Sequence, residues 1–178
     1  KKVIFANLGS VYIKYRHSYN KQVVNKIVNV INKKYENIRA VDVGAGTGIF
    51  TKCLMEAGIK DVVAVELNED MRNTGIEYLG KKIHFYRGSG ENTTLVSNKY
   101  DLVTMASSFH WPNTQDTLLE YNCILNGNGV FPALWNPRLT EHPDSENEVQ
   151  NLLSTNYILV SRVSSGLSGI TNHLGDLL

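Results

Sequence analysis

Val41-Asp42-Val43-Gly44-Ala45-Gly46-Thr47-Gly48-Ile49-Phe50 is the stretch on which the fold of this chain turns. Ile38 to Val43 is a short β-branched run, three alternating glycines follow it, and Ile49 to Ala57 has helical patterning up to Gly58. Strand, tight turn and helix are predicted in that order. The same alternation continues downstream, with strands expected at Asp61 to Glu66, Ile83 to Arg87, Tyr100 to Ala106 and Gly129 to Trp135. Helices are expected at Asn68 to Leu79 and Thr114 to Leu125. Asn68 and Asp70 fix one helix start, because an N-terminus needs side-chain acceptors and favours negative charge. Strands alternating with helices predict an α/β fold, a doubly wound, mainly parallel sheet with helices on both faces. Upstream, Val23, Val24, Ile27, Val30 and Ile31 recur at helical spacing between Asn20 and Glu36, which predicts an amphipathic helix. Downstream, Asp144, Glu146 and Glu148 mark a further helix start near Pro143, running to about Tyr157, and Ser161 to Gly169 has no assignable element.

Length and composition bound the rest. With 178 residues, 42% of them hydrophobic, the chain can bury a core of its own, and one domain fits the length better than two. Cys53 and Cys123 stand apart, without CxxC pairing or metal-ligand spacing, so both are expected as reduced, buried thiols and no metal site is expected. No apolar run approaches the length of about 20 residues that spans a bilayer, and Lys1 to Ser10 has too short an apolar core for a signal peptide. A soluble, cytoplasmic protein with no membrane partner is the expectation. The net charge of +1 suggests no bulk affinity for nucleic acid, yet it conceals an asymmetry: residues 1–40 carry nine Lys or Arg against the single acid Glu36. The two parts of the chain are charged about +8 and −7. Two readings stand: a solvated helix face packed on an acidic body, or a basic lip that attracts an anionic substrate.

The glycine loop lies where the first strand of a doubly wound sheet meets its helix, the crevice in which such folds bind ligands. Glycines allow a sharp turn and a closer approach of ligand to backbone than any Cβ permits. A dinucleotide fingerprint, GxGxxG, needs glycine where Ile49 stands, and a phosphate loop needs a Gly-Lys-Ser/Thr ending that is absent. Plain turn chemistry is the bland alternative. Glu66 closes the next strand, 20 residues after Gly46, where a carboxylate can accept both hydroxyls of a ribose. Its bland alternative is a strand-end acid paired with a surface lysine.

Val41 to Phe50, followed by Val63-Ala64-Val65-Glu66, resembles the first two motifs of class I, Rossmann-like, S-adenosylmethionine-dependent methyltransferases. Arg87-Gly88-Ser89-Gly90-Glu91 is similar to the family's adenine-flanking loop, with Gly90 where alanine is common. Tyr100 to Trp111 resembles the fourth strand and following loop of a small-molecule subgroup of the trans-aconitate type, and the pair His110-Trp111, Leu134-Trp135-Asn136 and Arg138 extend that likeness. Together these segments cover about residues 11–138. The resemblance implies a core strand order 3-2-1-4-5 and an N-terminal helical lid. It also implies S-adenosyl-L-methionine as cofactor, with S-adenosyl-L-homocysteine as product. Gly44, Ala45 and Gly46 would line the cofactor's amino-acid end, Glu66 its ribose, Leu67, Gly90 and Glu91 its adenine, and Ser107 would sit beside the reacting centre. Tyr12 to Tyr19 looks like the lid segment, with His17 in place of a usual proline, and Arg16 in it would hold a carboxylate of cofactor or substrate. Three segments are therefore expected: lid and amphipathic helix at 1–37, cofactor-binding core at 38–138, and an incomplete C-terminal or substrate region at 139–178.

The implied activity is methyl transfer to a small, anionic-leaning molecule, and the rival is a non-catalytic cofactor-binding module acting through a partner. His110 is the loop residue able to take a proton near neutral pH, set against a histidine that only fills space between Phe109 and Trp111. The amino-methylating Asp/Asn-Pro-Pro-Tyr/Phe sequence is absent and basic-aromatic interleaving is sparse, which argues against nucleic acid as the acceptor. Two further strands, expected of a complete member of the family, are not evident after Trp135, and the chain begins without Met. Either the chain is incomplete or the protein is a reduced version of the family, and the missing initiator Met fits the first of these.

Overall fold

Strand β1 (Arg39–Val43) takes the centre of the sheet because Ala40, Val41 and Val43 give it an apolar side chain on each face, so both faces can be covered. The computed structural model describes residues 13–14, 18–31 and 33–135. Helix α1 (Lys21–Ile31) precedes β1, and α2 (Ile49–Glu56), β2 (Asp61–Val65), α3 (Glu69–Leu79) and β3 (His84–Tyr86) follow it. The second half comprises β4 (Tyr100–Ala106), α4 (Thr114–Ile124), β5 (Leu125–Val130) and β6 (Ala133–Leu134). The sheet is parallel, with order β3-β2-β1-β4-β5, and β6 pairs with β4. Val41 lies level with Val63 on one side and with Val103 on the other.

Steps from β1 to β2 and from β2 to β3 run toward one edge, whereas the step from β4 to β5 runs toward the other. Right-handed crossovers then put α2 and α3 on one face and α4 on the opposite one. The packing agrees. Ala40, Val62, Ala64 and Leu102 bury one sheet face against Val24, Ile27 and Val28 of α1 and against Phe50, Cys53 and Leu54 of α2. Helix α4 contributes nothing to that core; it buries Thr117, Tyr121 and Ile124, and Tyr121 meets Phe131 edge-on at 4.7 Å.

Several expectations shift. The first helix stops at Ile31 rather than Glu36, and its buried stripe runs through Val24, Ile27 and Val28, while Val30 is 71% exposed. The last strand, expected as one run from Gly129 to Trp135, is two. Strand β5 starts at Leu125 and its register on β4 jumps from Tyr100 opposite Leu125 to Leu102 opposite Val130, so most of Asn126 to Gly129 bulges out of the ladder. Pro132, which has no N–H to donate, then separates β5 from β6. Cys53 is buried as expected, but Cys123 is exposed, because it lies off the Thr117–Tyr121–Ile124 face of α4; neither forms a disulfide. Among the described residues no helix is long and apolar enough to cross a membrane, and no group of His, Cys, Asp or Glu is placed to hold a metal ion.

The early positive charge is also placed. Lys33 Nζ lies 2.6 Å from Asp101 Oδ1, the Arg39 N–H donates to Asp101 Oδ2 at 2.9 Å, and the Asn126 amide donates to Oδ1 at 2.5 Å. Asp101 and Arg39 stand at the amino ends of β4 and β1, opposite the crevice. For Lys33 the charge rests on an acid of the body, at the end of the sheet opposite the crevice.

Candidate functional site

The site is assembled at the carboxyl ends of the strands, where the chain leaves β1 toward β2 on one side and β4 lies on the other. Gly44 and Gly46 there have φ of +64° and +57°, a left-handed backbone that favours glycine. A Cβ on Gly44 would stand 2.8 Å from Cβ and Oγ of Ser108, so this glycine lets the loop after β4 close onto the loop after β1. The Ser108 hydroxyl seals that contact by donating to the Val43 carbonyl at 3.1 Å. A Cβ on Gly46, by contrast, would meet no atom within 4 Å. That opening faces a cleft of about 810 Å³, which Gly44, Ala45 and Gly46 line.

Glu66 crosses from the end of β2 to meet this loop. Its carboxylate accepts from the Gly46 N–H at 2.8 Å and from the Asn68 N–H at 2.7 Å, and the Ala45 N–H donates to the Val65 carbonyl at 3.1 Å. The surface-lysine alternative for Glu66 is thereby set aside: backbone amides hold it, and it lines the cleft. Asn68 caps α3 by accepting from the Met71 N–H at 3.1 Å. Glu69 and Asp70 in the first turn of α3 also face the cleft.

The connection from β3 to β4 passes over the α4 face and supplies the far wall, with Gly90 and Glu91. Glu91 accepts from the Asn113 N–H at 2.8 Å. Burial tends to raise its pKa, but backbone N–H groups and the Ser89 hydroxyl outweigh this and hold it below the usual glutamate value. A Cβ on Gly90 would come within 2.9 Å of Pro112 and 3.1 Å of the Thr117 hydroxyl, which accounts for glycine where alanine was the family expectation.

Ser107, after β4, has φ of +58°, which costs a non-glycine residue energy and is found where surrounding structure over-determines it. Two bonds do so here. Its N–H donates to the Leu134 carbonyl at 2.6 Å, and its hydroxyl lies 2.8 Å from the Tyr19 hydroxyl. Tyr19 in turn packs edge-on against Phe50 at 4.9 Å, so the segment before α1 is tied to both sides of the crevice.

Of the expected site residues, Gly44, Ala45, Gly46, Glu66, Leu67, Gly90, Glu91 and Ser107 come together along this one cleft. His110 does not line it. Its exposed ring tilts against Trp111 at 4.9 Å, and desolvation holds its pKa below the usual histidine value. Arg16 lies outside the described residues, as do Arg138 and the expected helix from Pro143. Sequence reasoning named Tyr19 only as the end of the lid segment and Trp111 only as half of the His110-Trp111 pair, and gave neither a place in the site; both line the cleft. It quoted Asp42 only as part of the glycine motif. Asp42 is 1% exposed, accepts from the Thr51 hydroxyl at 2.7 Å and the Thr104 hydroxyl at 3.1 Å, and also lines the cleft. Burial, only partly offset by those hydroxyls, pushes its pKa up to about 6.

Residues 41–132, the stretch that builds this crevice, match the methyltransferase domain family. This chain belongs to that family. A methyltransferase-like protein of Schizosaccharomyces pombe is 31% identical over 101 residues, 55% of this chain and 38% of its own. An uncharacterised methyltransferase of Mycobacterium tuberculosis is 28% identical over 134 residues, 75% and 52% respectively. This methyltransferase-family chain thus spans about half or less of the length of those relatives. Its fold is also that of solved proteins assigned as methyltransferases. One from Anaeromyxobacter dehalogenans superposes with a TM-score of 0.65 at 20% identity, covering 84% of this chain and 62% of its own. Another, from Methanococcus maripaludis and assigned as dependent on S-adenosyl-L-methionine, gives 0.64 at 17% identity, covering 98% and 78%.

Proposed function

We propose that this methyltransferase-family chain transfers a methyl group from S-adenosyl-L-methionine to a small molecule. The observation that carries the reading is Glu66, fixed by the amides of Gly46 and Asn68 beside a loop whose Gly46 opens onto unfilled space. The residues present fit such a cofactor. Gly44, Ala45 and Gly46 would admit its amino-acid end, the remaining acceptor capacity of Glu66 would take the ribose hydroxyls, and Leu67, Gly90 and Glu91 would border its adenine. Ser107 would stand at the reacting end, and Arg16 would hold a carboxylate of cofactor or acceptor. When bound, the cofactor supplies an electrophilic methyl on a sulfonium: the acceptor's lone pair bonds to carbon while the S–C pair stays on sulfur, leaving a neutral thioether. Alignment of donor and acceptor can supply much of the acceleration, so the chain need contribute a base only for an acceptor that arrives protonated. His110 is the candidate for that role, and would have to turn toward the cleft to fill it.

The His110-Trp111 pair supports the small-molecule subgroup of the trans-aconitate type, and the absence of an amino-methylating motif weighs against nucleic acid. A non-catalytic module that binds the same cofactor uses the same cleft and is separated by a methyl-transfer screen. Calorimetry is the first test. S-Adenosylhomocysteine should bind, NAD should not, and Glu66→Ala should weaken S-adenosylhomocysteine by about 10- to 100-fold, since a hydrogen bond to a charged group contributes ~1.5–3 kcal/mol. Unchanged affinity in that variant would remove Glu66 from the site.

A further inference from the structure

The chain between β3 and β4, residues 87–99, contains no helix or strand, so its shape rests on bonds to its surroundings rather than on a ladder of its own. Thr93 is its fixed point. This residue is 0% exposed, and both its N–H and its hydroxyl donate to Glu120 Oε1 of α4, at 2.8 and 2.5 Å. Bonds of that kind to a carboxylate are the strong ones. The Thr93 hydroxyl oxygen also accepts from the Leu95 N–H at 3.3 Å, and its carbonyl lies against the backbone of Gly88, where a Cβ would stand 2.8 Å away. Thr94, next in the chain, has φ of +62°, a conformation that persists where its surroundings over-determine it. Gly88, Ser89, Gly90 and Glu91 line the cleft, whereas Thr93 and Glu120 stand behind them and do not. The tie also runs the other way, because Glu91 accepts from the Asn113 N–H at the start of α4. Two carboxylates thus cross between loop and helix in opposite directions, about two turns apart along α4.

Resting on the cofactor assigned above, we infer that Glu120 is a positioning residue for the adenine end of the cleft: acting through Thr93, it holds the wall from Gly88 to Glu91 in its binding shape before the ligand arrives. A wall fixed in advance spares binding the cost of ordering it. It also keeps the Glu91 carboxylate at a set place against the edge of the base. Adenine offers an amino donor at that edge, whereas hypoxanthine offers a carbonyl oxygen, which a carboxylate does not accept from.

Calorimetry on the full chain tests this with S-adenosylhomocysteine and S-inosylhomocysteine, which differ in the base alone. The unaltered chain should prefer the adenine form by about 10-fold or more, the scale of one hydrogen bond to a charged group. Glu120→Ala should weaken S-adenosylhomocysteine by about 3- to 10-fold, the scale of ordering one group on binding, and should shrink the preference between the two bases. Glu120→Gln keeps an acceptor oxygen in the same place and should recover most of both. Thr93→Val removes the hydroxyl and leaves the N–H, so it should act in the same direction by a smaller factor, and it carries the test if Glu120→Ala does not fold. Loss of stability in urea with affinity and base preference both kept, in either variant, would overturn the positioning role and leave the cofactor assignment standing. Equal binding of the two ligands by the unaltered chain would do the same. Failure of both ligands to bind the unaltered chain would sink the assignment and this inference together.

Discussion

Asp42 is a buried acid that, among the described residues, is held by two threonine hydroxyls, at the point where β1 turns into the glycine loop. With its pKa pushed up to about 6 from an ordinary 3.8, the folded state prefers the protonated form. Its contribution to stability is therefore fully present below about pH 4 and is lost as the pH rises through about 6. Two pK units correspond to about 3 kcal/mol. Asp42→Asn removes the charge while keeping an acceptor for one threonine hydroxyl and a donor for the other. Urea denaturation should thus find the variant gaining on the wild type by about 2–3 kcal/mol between pH 4 and pH 8; a constant difference across that range would mean Asp42 ionises freely in the fold. The residue scale is also where the sequence was most and least legible. Glu66 could be found because strand length and loop length fix its distance from Gly46. Tyr19 could not, because its link to Ser107 joins residues 88 positions apart through a hydroxyl contact that no spacing rule encodes. Ser107's left-handed backbone was equally hidden, since serine carries no sign of it.

Among the elements, α1 shows how periodicity alone misplaces a face. Val23, Val24, Ile27, Val30 and Ile31 all lie within a broad apolar arc, and the sequence cannot say where the centre of the arc meets the sheet. Packing against α2 and the sheet settles it. Val24, Ile27 and Val28 are buried, and Val30 turns to solvent. Val28→Ala should cost about 2 kcal/mol in chemical denaturation, from lost burial plus residual cavity, whereas Val30→Ala should stay within about 0.5 kcal/mol. Equal costs would show the helix rotated from this placement. The central strands were legible because burial on both faces makes them continuous apolar runs between turns. The end of the sheet was not. Asn126-Gly127-Asn128-Gly129 has turn composition, and its inclusion in β5 depends on contacts distant in sequence, the Asn126 amide on Asp101 and room beside the Tyr100 carbonyl that a Cβ on Gly129 would fill.

Among the described residues two charged groupings stand at opposite ends of the sheet. Carboxylates gather at the carboxyl ends of the strands around the cleft, while Asp101 at the amino end of β4 gathers Lys33, the Arg39 amide and Asn126. One end should govern ligand binding and the other only stability. Burial works to raise the pKa of Asp101, but Lys33, the Arg39 N–H and the Asn126 amide outweigh it and hold the carboxyl below the usual aspartate value. A depressed carboxylate contributes stability that is present above the unfolded-state pKa and is lost as the pH falls through the folded-state value. Asp101→Asn strips the charge from a site arranged to favour it and strands the Lys33 ammonium, at a cost of about 1–3 kcal/mol at neutral pH. The deficit should shrink in denaturant titrations as the pH falls below about 4, where the wild-type carboxyl also takes a proton. S-Adenosylhomocysteine affinity at pH 7 should stay within about 2-fold of wild type, because effects at well-separated sites without shared partners add rather than couple. Stability lost with affinity kept is the expected pattern; a parallel loss of affinity would mean that strain passes along β4 from Asp101 to Ser107, and that the two ends of the sheet act as one.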